Sequence, residues 1–468
     1  MPSVSRTFSV LALGEAVARL VAFAATILIA RRLGAAAFGI ISVAAAVRLY
    51  LVCMVEGGID SIGMREAAAQ RSFARQLAPA LVVVRVGVAA LLVLLVATIG
   101  FVLLPQPDGV LIALYSLTLL PLAANLRWLH LGHGSSVGPA LTRLASESLM
   151  LVVVVVALHE PGDLVRVPLA QFLGDATGAV LLALLVGKAL GPLSIGSAWR
   201  TARPVLAESW PLVLHALLGL VMFNADLLML RLFRGATEVG QYAAAYTIIG
   251  FLVYLGVVYY QSLLPALSRD HLDAAARART YALSLEQVLL AGAPVAAGGI
   301  LVAGSLIPFV FGAGYGAAAL PFALLAASVP ASWLRNVAQA GQVAQRRSEL
   351  LLRTSLIAVG VNLALNLLLI PRFGPVGAAA ATLATEVLRA FIALGYSRGL
   401  GYPLPGVRMS WRPLLGVLVM AAGLLGFRQL PVWVAIPAGA ILYGAVALPG
   451  GGHRVLRGLA APDSRSAS

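Results

Sequence analysis

Cysteine is nearly absent. Cys53 is the single one in 468 residues, so no intramolecular disulfide can form and a thiolate metal cluster is excluded. Charge is scarce at 11% of residues, less than half the share an ordinary soluble domain carries. Acidic residues are scarcer than basic ones, 18 Asp and Glu against 33 Lys and Arg, for a formal net charge of +15. No nucleotide-binding loop is present, which argues against direct use of ATP. Polar stretches that could fold as a soluble domain are also missing; the longest connections, around 191–209 and 266–280, are short and basic. What the chain has in abundance is apolar residues, 60% of the total, with a mean hydropathy of +0.95. Apolar runs of roughly 18 to 25 residues recur, each long enough at about 1.5 Å per residue to cross roughly 30 Å of hydrocarbon. Such runs are too long for barrel strands, and backbone groups in lipid must be satisfied within their own segment. The expected fold is therefore an all-α polytopic membrane protein.

Fourteen spans are expected, at roughly 8–30, 39–62, 79–104, 109–131, 137–158, 164–190, 210–231, 239–265, 281–308, 318–342, 350–370, 375–397, 411–428 and 431–449. The first run, Phe8 to Ala30, is long for a signal sequence and reads as an uncleaved span. Basic residues sort by side. Arg65, Arg71, Arg75, Arg200, Arg203, Arg346 and Arg347 are among the many that fall with the amino terminus, whereas only Arg31, Arg32, Arg166, Arg231, Arg234, Arg372 and Arg428 fall opposite. By the positive-inside rule both termini are expected in the cytoplasm, as a multi-pass protein of the cytoplasmic membrane. The positive charge then serves topology and attraction to anionic lipid, and no nucleic-acid partner is expected.

The chain also restarts. Gly235 and Gly240 stand five apart in FRGATEVG, as do Gly34 and Gly39 in ARRLGAAAFG about two hundred residues earlier. Four connections on the side opposite the termini carry glycines: RRLGAAAFG, FRGATEVG, FGAGYG and PRFGPVG. The spans they join read as helical hairpins with tight turns.

NADLLMLRLFRGATEVGQYAAAY, from Asn224, resembles the start of the second half of polysaccharide-type flippases. NLLLIPRFGPVGAAAAT, from Asn366, is similar to their late hairpin, and ARRLGAAAFG with GGIDSIGMREAA resembles their first hairpin and the link after it. The family is the oligosaccharide flippase branch of the multidrug/oligosaccharidyl-lipid/polysaccharide exporter superfamily. The resemblance implies two pseudo-repeated lobes of six helices around a central cavity, with spans one, two, seven and eight lining it and spans thirteen and fourteen forming a groove for a lipid tail. The corresponding division is 1–200, 201–400 and 401–450, with a cytoplasmic tail at 451–468. It further implies no enzyme activity and no cofactor. The function expected is alternating-access flipping of a polyprenyl-phosphate- or pyrophosphate-linked oligosaccharide for cell-surface polysaccharide. The alternatives are a peptidoglycan lipid-precursor flippase or a multidrug or organic-ion antiporter of the same superfamily. Expected partners are the lipid-linked glycan, membrane lipid, a coupling proton or sodium ion and other membrane proteins of polysaccharide assembly.

Charges inside spans are the informative residues, because a charge at a helix centre costs about 2.5–3.5 kcal/mol on insertion scales and must face a wet cavity or a partner. Arg19, Arg48 and Arg335 are candidates for the substrate phosphate, which a guanidinium grips through two parallel hydrogen bonds. Arg48 has no carboxylate three or four positions away and is the first choice. Glu15, Asp175, Asp226, Glu386 and Arg389 are candidates for gating or ion coupling. Several of these have a plainer reading as ion pairs within one helix: Glu15 with Arg19, Arg143 with Glu147, and Glu386 with Arg389. Arg85 has a plainer reading as a side chain snorkelling to the interface. Tyr246, Tyr254 and Asn224 are candidates for sugar contact, and Pro121, Pro294 and Pro330 mark places where helices kink. No catalytic or metal-ligating residue is expected.

Overall fold

The computed structural model describes residues 4–186, 195–268, 273–426 and 430–449. The expected tail at 451–468, Lys188, Arg269 and Arg428 lie outside them. Every regular element among the described residues is helical, and the chain is an all-α polytopic membrane protein. Among the described residues, ten helical stretches are long and apolar enough to cross a membrane. Two of these, Leu13–Ala69 and Glu349–Gly399, hold two spans each, and two shorter apolar helices near the carboxyl end complete the fourteen.

The chain divides into two compact units, Met1–Gly240 and Gln241–Ser468. The first contains α1 (Val4–Glu56), α2 (Ile59–Ala69), α3 (Arg71–Val102), α4 (Asp108–Ser116), α5 (Leu119–Ala123), α6 (Arg127–Gly132), α7 (Val137–Ala157), α8 (Arg166–Val186) and α9 (Ile195–Phe233). The start of α10 (Ala236–Leu267) belongs to it as well. The expected loop RRLGAAAFG is tighter than its sequence suggested. Helical geometry runs on through it and breaks at Gly34 alone (φ 76°, ψ 172°), a conformation that a side chain strongly disfavours. The second glycine of each five-residue pair does a different job: a Cβ on Gly39 would strike the backbone oxygen of Ala236, and one on Gly240 would strike that of Ala35. The two copies of the repeat thus meet backbone to backbone, as small residues permit in membrane helices.

At the far end of these helices the second span stops at Glu56, short of the expected residue 62, and turns through Gly57 and Gly58 into α2. There α2, α3 and α6 bury Ile62, Leu77, Leu81 and Trp128 in one apolar cluster.

The fourth span is the larger departure from expectation, for it is three short helices, α4, α5 and α6. Pro121 has no N–H to give to Leu117, and around it the chain tightens to i+3 bonds, with the Leu117, Thr118 and Leu120 amides donating to Leu114, Tyr115 and Leu117.

The second unit contains the rest of α10, then α11 (Ala274–Phe311), α12 (Ala319–Ala344), α13 (Glu349–Gly399), α14 (Val407–Gly426) and α15 (Val432–Ala447). PRFGPVG again reduces to a single non-helical residue, Gly374, inside α13. The α14–α15 hairpin packs on α11, where the Tyr443 hydroxyl donates to the Leu290 carbonyl at 2.7 Å. Between this hairpin and α10–α12 lies an apolar cavity of about 410 Å³ whose wall includes Leu252, Pro294, Phe322, Met420 and Ile436.

Candidate functional site

The broken fourth span organises the charges of the first unit. A continuous helix would spend its backbone groups internally and keep short side chains to itself; this one supplies groups to two arginines and carries a third. Arg48 donates from Nε to Thr118 Oγ1 at 2.7 Å. Arg85 donates from Nη2 to the Leu122 carbonyl at 3.3 Å. The third arginine, Arg127, sits at the start of α6 and faces Glu15, its Nη2 3.4 Å from Oε2. Non-helical backbone at membrane depth is tolerated where protein or a wet cavity satisfies it, and here protein does so.

Among the described residues, four groups of charges stand around the break. Glu15 takes Arg19 (3.5 Å, four residues along α1) as well as Arg127, so two guanidinium groups share one carboxylate. This triad is open: the Arg19, Arg127 and Glu15 side chains are 44%, 35% and 20% exposed. Arg48 pairs with Asp175 across the unit, Nη2 to Oδ2 at 2.6 Å, and Gln171 Nε2 donates to the other oxygen of Asp175 at 3.1 Å. Arg48 is thus free of carboxylates along its own helix but not in the fold; α8 supplies one. Arg85 is buried at 1% exposure, with Glu56 and Asp60 each at 3.2 Å. It does not snorkel, because the turn at Gly57 and Gly58 brings two carboxylates to it. Arg143 and Glu147 form the expected pair along α7 at 2.7 Å.

The second unit holds a matching triad that is sealed. Glu386 accepts from Arg389 Nη1 at 2.5 Å, three residues along α13, and from Arg335 Nε of α12 at 3.2 Å. Arg335 also donates to Gln339 Oε1 at 2.9 Å and to Ser332 Oγ at 3.1 Å. All three charged residues are buried. The expected Glu386–Arg389 pair along α13 is present, and the structure joins to it Arg335, which the sequence reading had set apart as a phosphate candidate.

The remaining candidates are placed as follows. Asn224 and Tyr50 both donate to the Leu220 carbonyl, at 3.3 and 3.0 Å, the first within α9 and the second fastening α1 to it. Asp226 is buried, and its Oδ1 accepts from the Leu227 amide at 2.8 Å. Tyr246 stacks on Tyr242 with ring centroids 5.8 Å apart. Tyr254 lies on α10, partly buried. Sequence reasoning missed Arg127, whose only signal was its position six residues past Pro121, and Asp108, which grips Arg231 by both oxygens at 2.7 and 2.9 Å.

A family model, described as polysaccharide biosynthesis protein, matches residues 4–271, more than half the chain. The chain belongs to this polysaccharide biosynthesis family. Among solved structures, the lipid II flippase MurJ in an inward closed conformation superposes with a TM-score of 0.80 at 12% identity, covering 95% of this chain and 99% of that one. An inward-facing multidrug-resistance MATE transporter of the MOP superfamily gives 0.63 at 15% identity, covering 82% and 94%. A mutant of the Vibrio cholerae MATE transporter VcmN gives 0.53 at 15%, covering 85% and 98%. No curated protein sequence matches the chain. At these identities the likeness shows the fold, that of MOP-superfamily transporters and flippases. The open triad and the Arg48–Asp175 pair lie inside the span of the family model; the sealed triad lies beyond it.

Proposed function

We propose that this polysaccharide biosynthesis family member is a transporter and not an enzyme, flipping a polyprenyl-phosphate- or pyrophosphate-linked oligosaccharide across the cytoplasmic membrane by alternating access, with both termini cytoplasmic. The observation that carries the reading is the open triad. Two arginines within membrane-spanning helices share one carboxylate and keep more than a third of their surfaces uncovered. Exposed guanidinium groups inside the spans suit an anionic substrate group, because guanidinium pairs with phosphate oxygens in parallel hydrogen bonds. In this reading Arg19 and Arg127 hold the phosphate, and Arg48 joins them when it leaves Asp175. The apolar cavity walled by α14 and α15 takes part of the polyprenyl tail. Asp226 and Asp175 remain the proposed carboxylates for coupling to a proton or sodium ion, and Asn224, Tyr246 and Tyr254 the proposed sugar contacts.

The MurJ-like fold favours one alternative by name, a peptidoglycan lipid-precursor flippase, which shares the anionic head and polyprenyl tail. The test separates the two. Leaflet-resolved detection of polyprenyl-linked glycans, in cells with and without the protein, is expected to show a completed surface glycan-lipid held on the cytoplasmic leaflet when it is absent. Wild type should restore its passage and the Arg19→Ala, Arg127→Ala double variant should not. Accumulation of the peptidoglycan precursor instead assigns the alternative, and an unchanged distribution of both rejects the flippase reading.

A further inference from the structure

Two apolar cavities lie end to end along α10 and α11 in the second unit. The larger, about 410 Å³ and walled in part by α14 and α15, runs past Leu252 of α10 and Pro294 of α11. The smaller, about 170 Å³, reaches Gly256, one turn further along α10, and Ala291, three residues back along α11, and is lined also by Val288 and Trp333. Neither has a charged side chain in its wall. Cavities of this kind stay dry and take hydrocarbon.

A tryptophan stands at their junction. The Trp333 indole of α12 donates from Nε1 to the Leu252 carbonyl at 3.1 Å, which lays the ring against α10 between the two spaces. It reaches that carbonyl because Gly256 has no side chain: a Cβ there would strike the indole Cδ1. On the other side of the junction α11 and α12 press together, and a Cβ on Gly292 would meet Pro330 at 3.3 Å. The far end of the smaller cavity is polar, since the Tyr259 hydroxyl donates to Gln287 Oε1. A hydrocarbon chain entering from the larger cavity therefore meets an indole first. Beyond it lies a hydrogen-bonded pair whose bond a hydrocarbon cannot replace.

We infer that Trp333 is the stop that sets how much of a polyprenyl carrier the second unit encloses. The inference rests on the reading that the larger cavity takes part of the tail, and it adds the residue that limits the tail's reach. Isoprene units that fit before the indole are buried and raise affinity with the apolar area they remove from the surroundings. Units past it stay outside and add nothing to recognition. The protein then distinguishes carriers by length up to a limit and is indifferent to length beyond it. Tryptophan suits the task, because its ring is large and its N–H, tied to Leu252, keeps the ring from swinging aside.

The test uses the purified full-length protein in detergent micelles and a graded series of polyprenyl phosphates, from farnesyl to undecaprenyl, each competing with a fluorescent undecaprenyl phosphate. Affinity is taken as the ratio of variant to wild type at each chain length, so that partition into the micelle cancels. Trp333→Ala joins the two cavities. It is expected to leave the shortest carriers unchanged and to bind carriers longer than the wild-type limit about fivefold tighter or more, the worth of burying a further isoprene unit. Trp333→Leu keeps an apolar side chain at the position and should show the same length-dependent rise to a smaller extent, which serves if the alanine variant fails to fold. Gly439→Leu narrows the larger cavity, whose wall Gly439 forms, and should weaken carriers of every length. A Gly439→Leu variant that binds all of them as wild type does removes the tail reading and the stop with it. If Gly439→Leu weakens binding while the Trp333 variants give one ratio at all lengths, the stop alone is overturned and the tail reading stands.

Discussion

Two glutamates in this protein each hold two arginines, and the surroundings make them different devices. Around Glu15 the guanidinium groups are more than one-third exposed; around Glu386 they are 6–7% exposed. The arithmetic of charge is the same and the dielectric is not. In the open triad protein covers the pairs less, so an arginine can exchange its partner for a phosphate at lower cost than in the sealed one. In the sealed triad the partners are held by desolvation, and removing one leaves a buried charge unanswered. A count of intramembrane charges therefore says where electrostatics matters, and exposure says which charges are available to a large substrate.

The contrast is tested most severely at its buried end. Glu386→Ala leaves Arg335 and Arg389 facing each other and should cost about 3–5 kcal/mol of stability, read as a large loss of melting temperature in detergent. Asp175→Asn strips Arg48 of its carboxylate in a site of intermediate burial. It should cost about 2–3 kcal/mol, and a double-mutant cycle with Arg48→Ala should show that most of that cost is coupling between the two. Arg19→Ala with Arg127→Ala should lower flipping by at least about tenfold, equivalent to about 1.4 kcal/mol of barrier, with the melting temperature nearly unchanged. Arg65 forms a two-pronged but exposed pair with Glu208, at 2.5 and 2.8 Å. Arg65→Ala should cost less than about 1 kcal/mol, the smallest effect of the four. A Glu15→Ala variant that destabilises as much as Glu386→Ala would erase the distinction between the triads.

Much of the fold was legible because it follows from local rules. Apolar run length marked the helices, and the spacing of Gly34 with Gly39 and of Gly235 with Gly240 marked a repeat. That the two repeats touch through Gly39 and Gly240 was not legible, since spacing says nothing of which copies meet. The same limit governs the charges. Glu386 and Arg389 are three apart and Glu15 and Arg19 four apart, so a single helix face discloses each pair. Arg48 and Asp175 are 127 positions apart, and only the packing of α1 against its neighbours joins them. Arg127 escaped notice because the fourth span reads as one apolar run, while Pro121 breaks it and turns its groups toward the arginines. The boundary at Gly57 and Gly58 was missed for a related reason: Ile59 and Ile62 are apolar enough to extend the span, but they serve the cluster around Trp128.

Everything proposed about transport turns on whether the exposed arginines around Glu15 hold the anionic head of a lipid-linked glycan during its passage. The most direct measurement is flipping in proteoliposomes containing purified protein and a fluorescent polyprenyl-pyrophosphate oligosaccharide, beside the same glycan on an uncharged polyprenyl carrier. Wild type should flip the pyrophosphate substrate at least about tenfold faster than the uncharged one, and Arg19→Ala with Arg127→Ala should remove that preference. Equal rates for the two carriers, or a double variant that keeps the preference, would contradict the account.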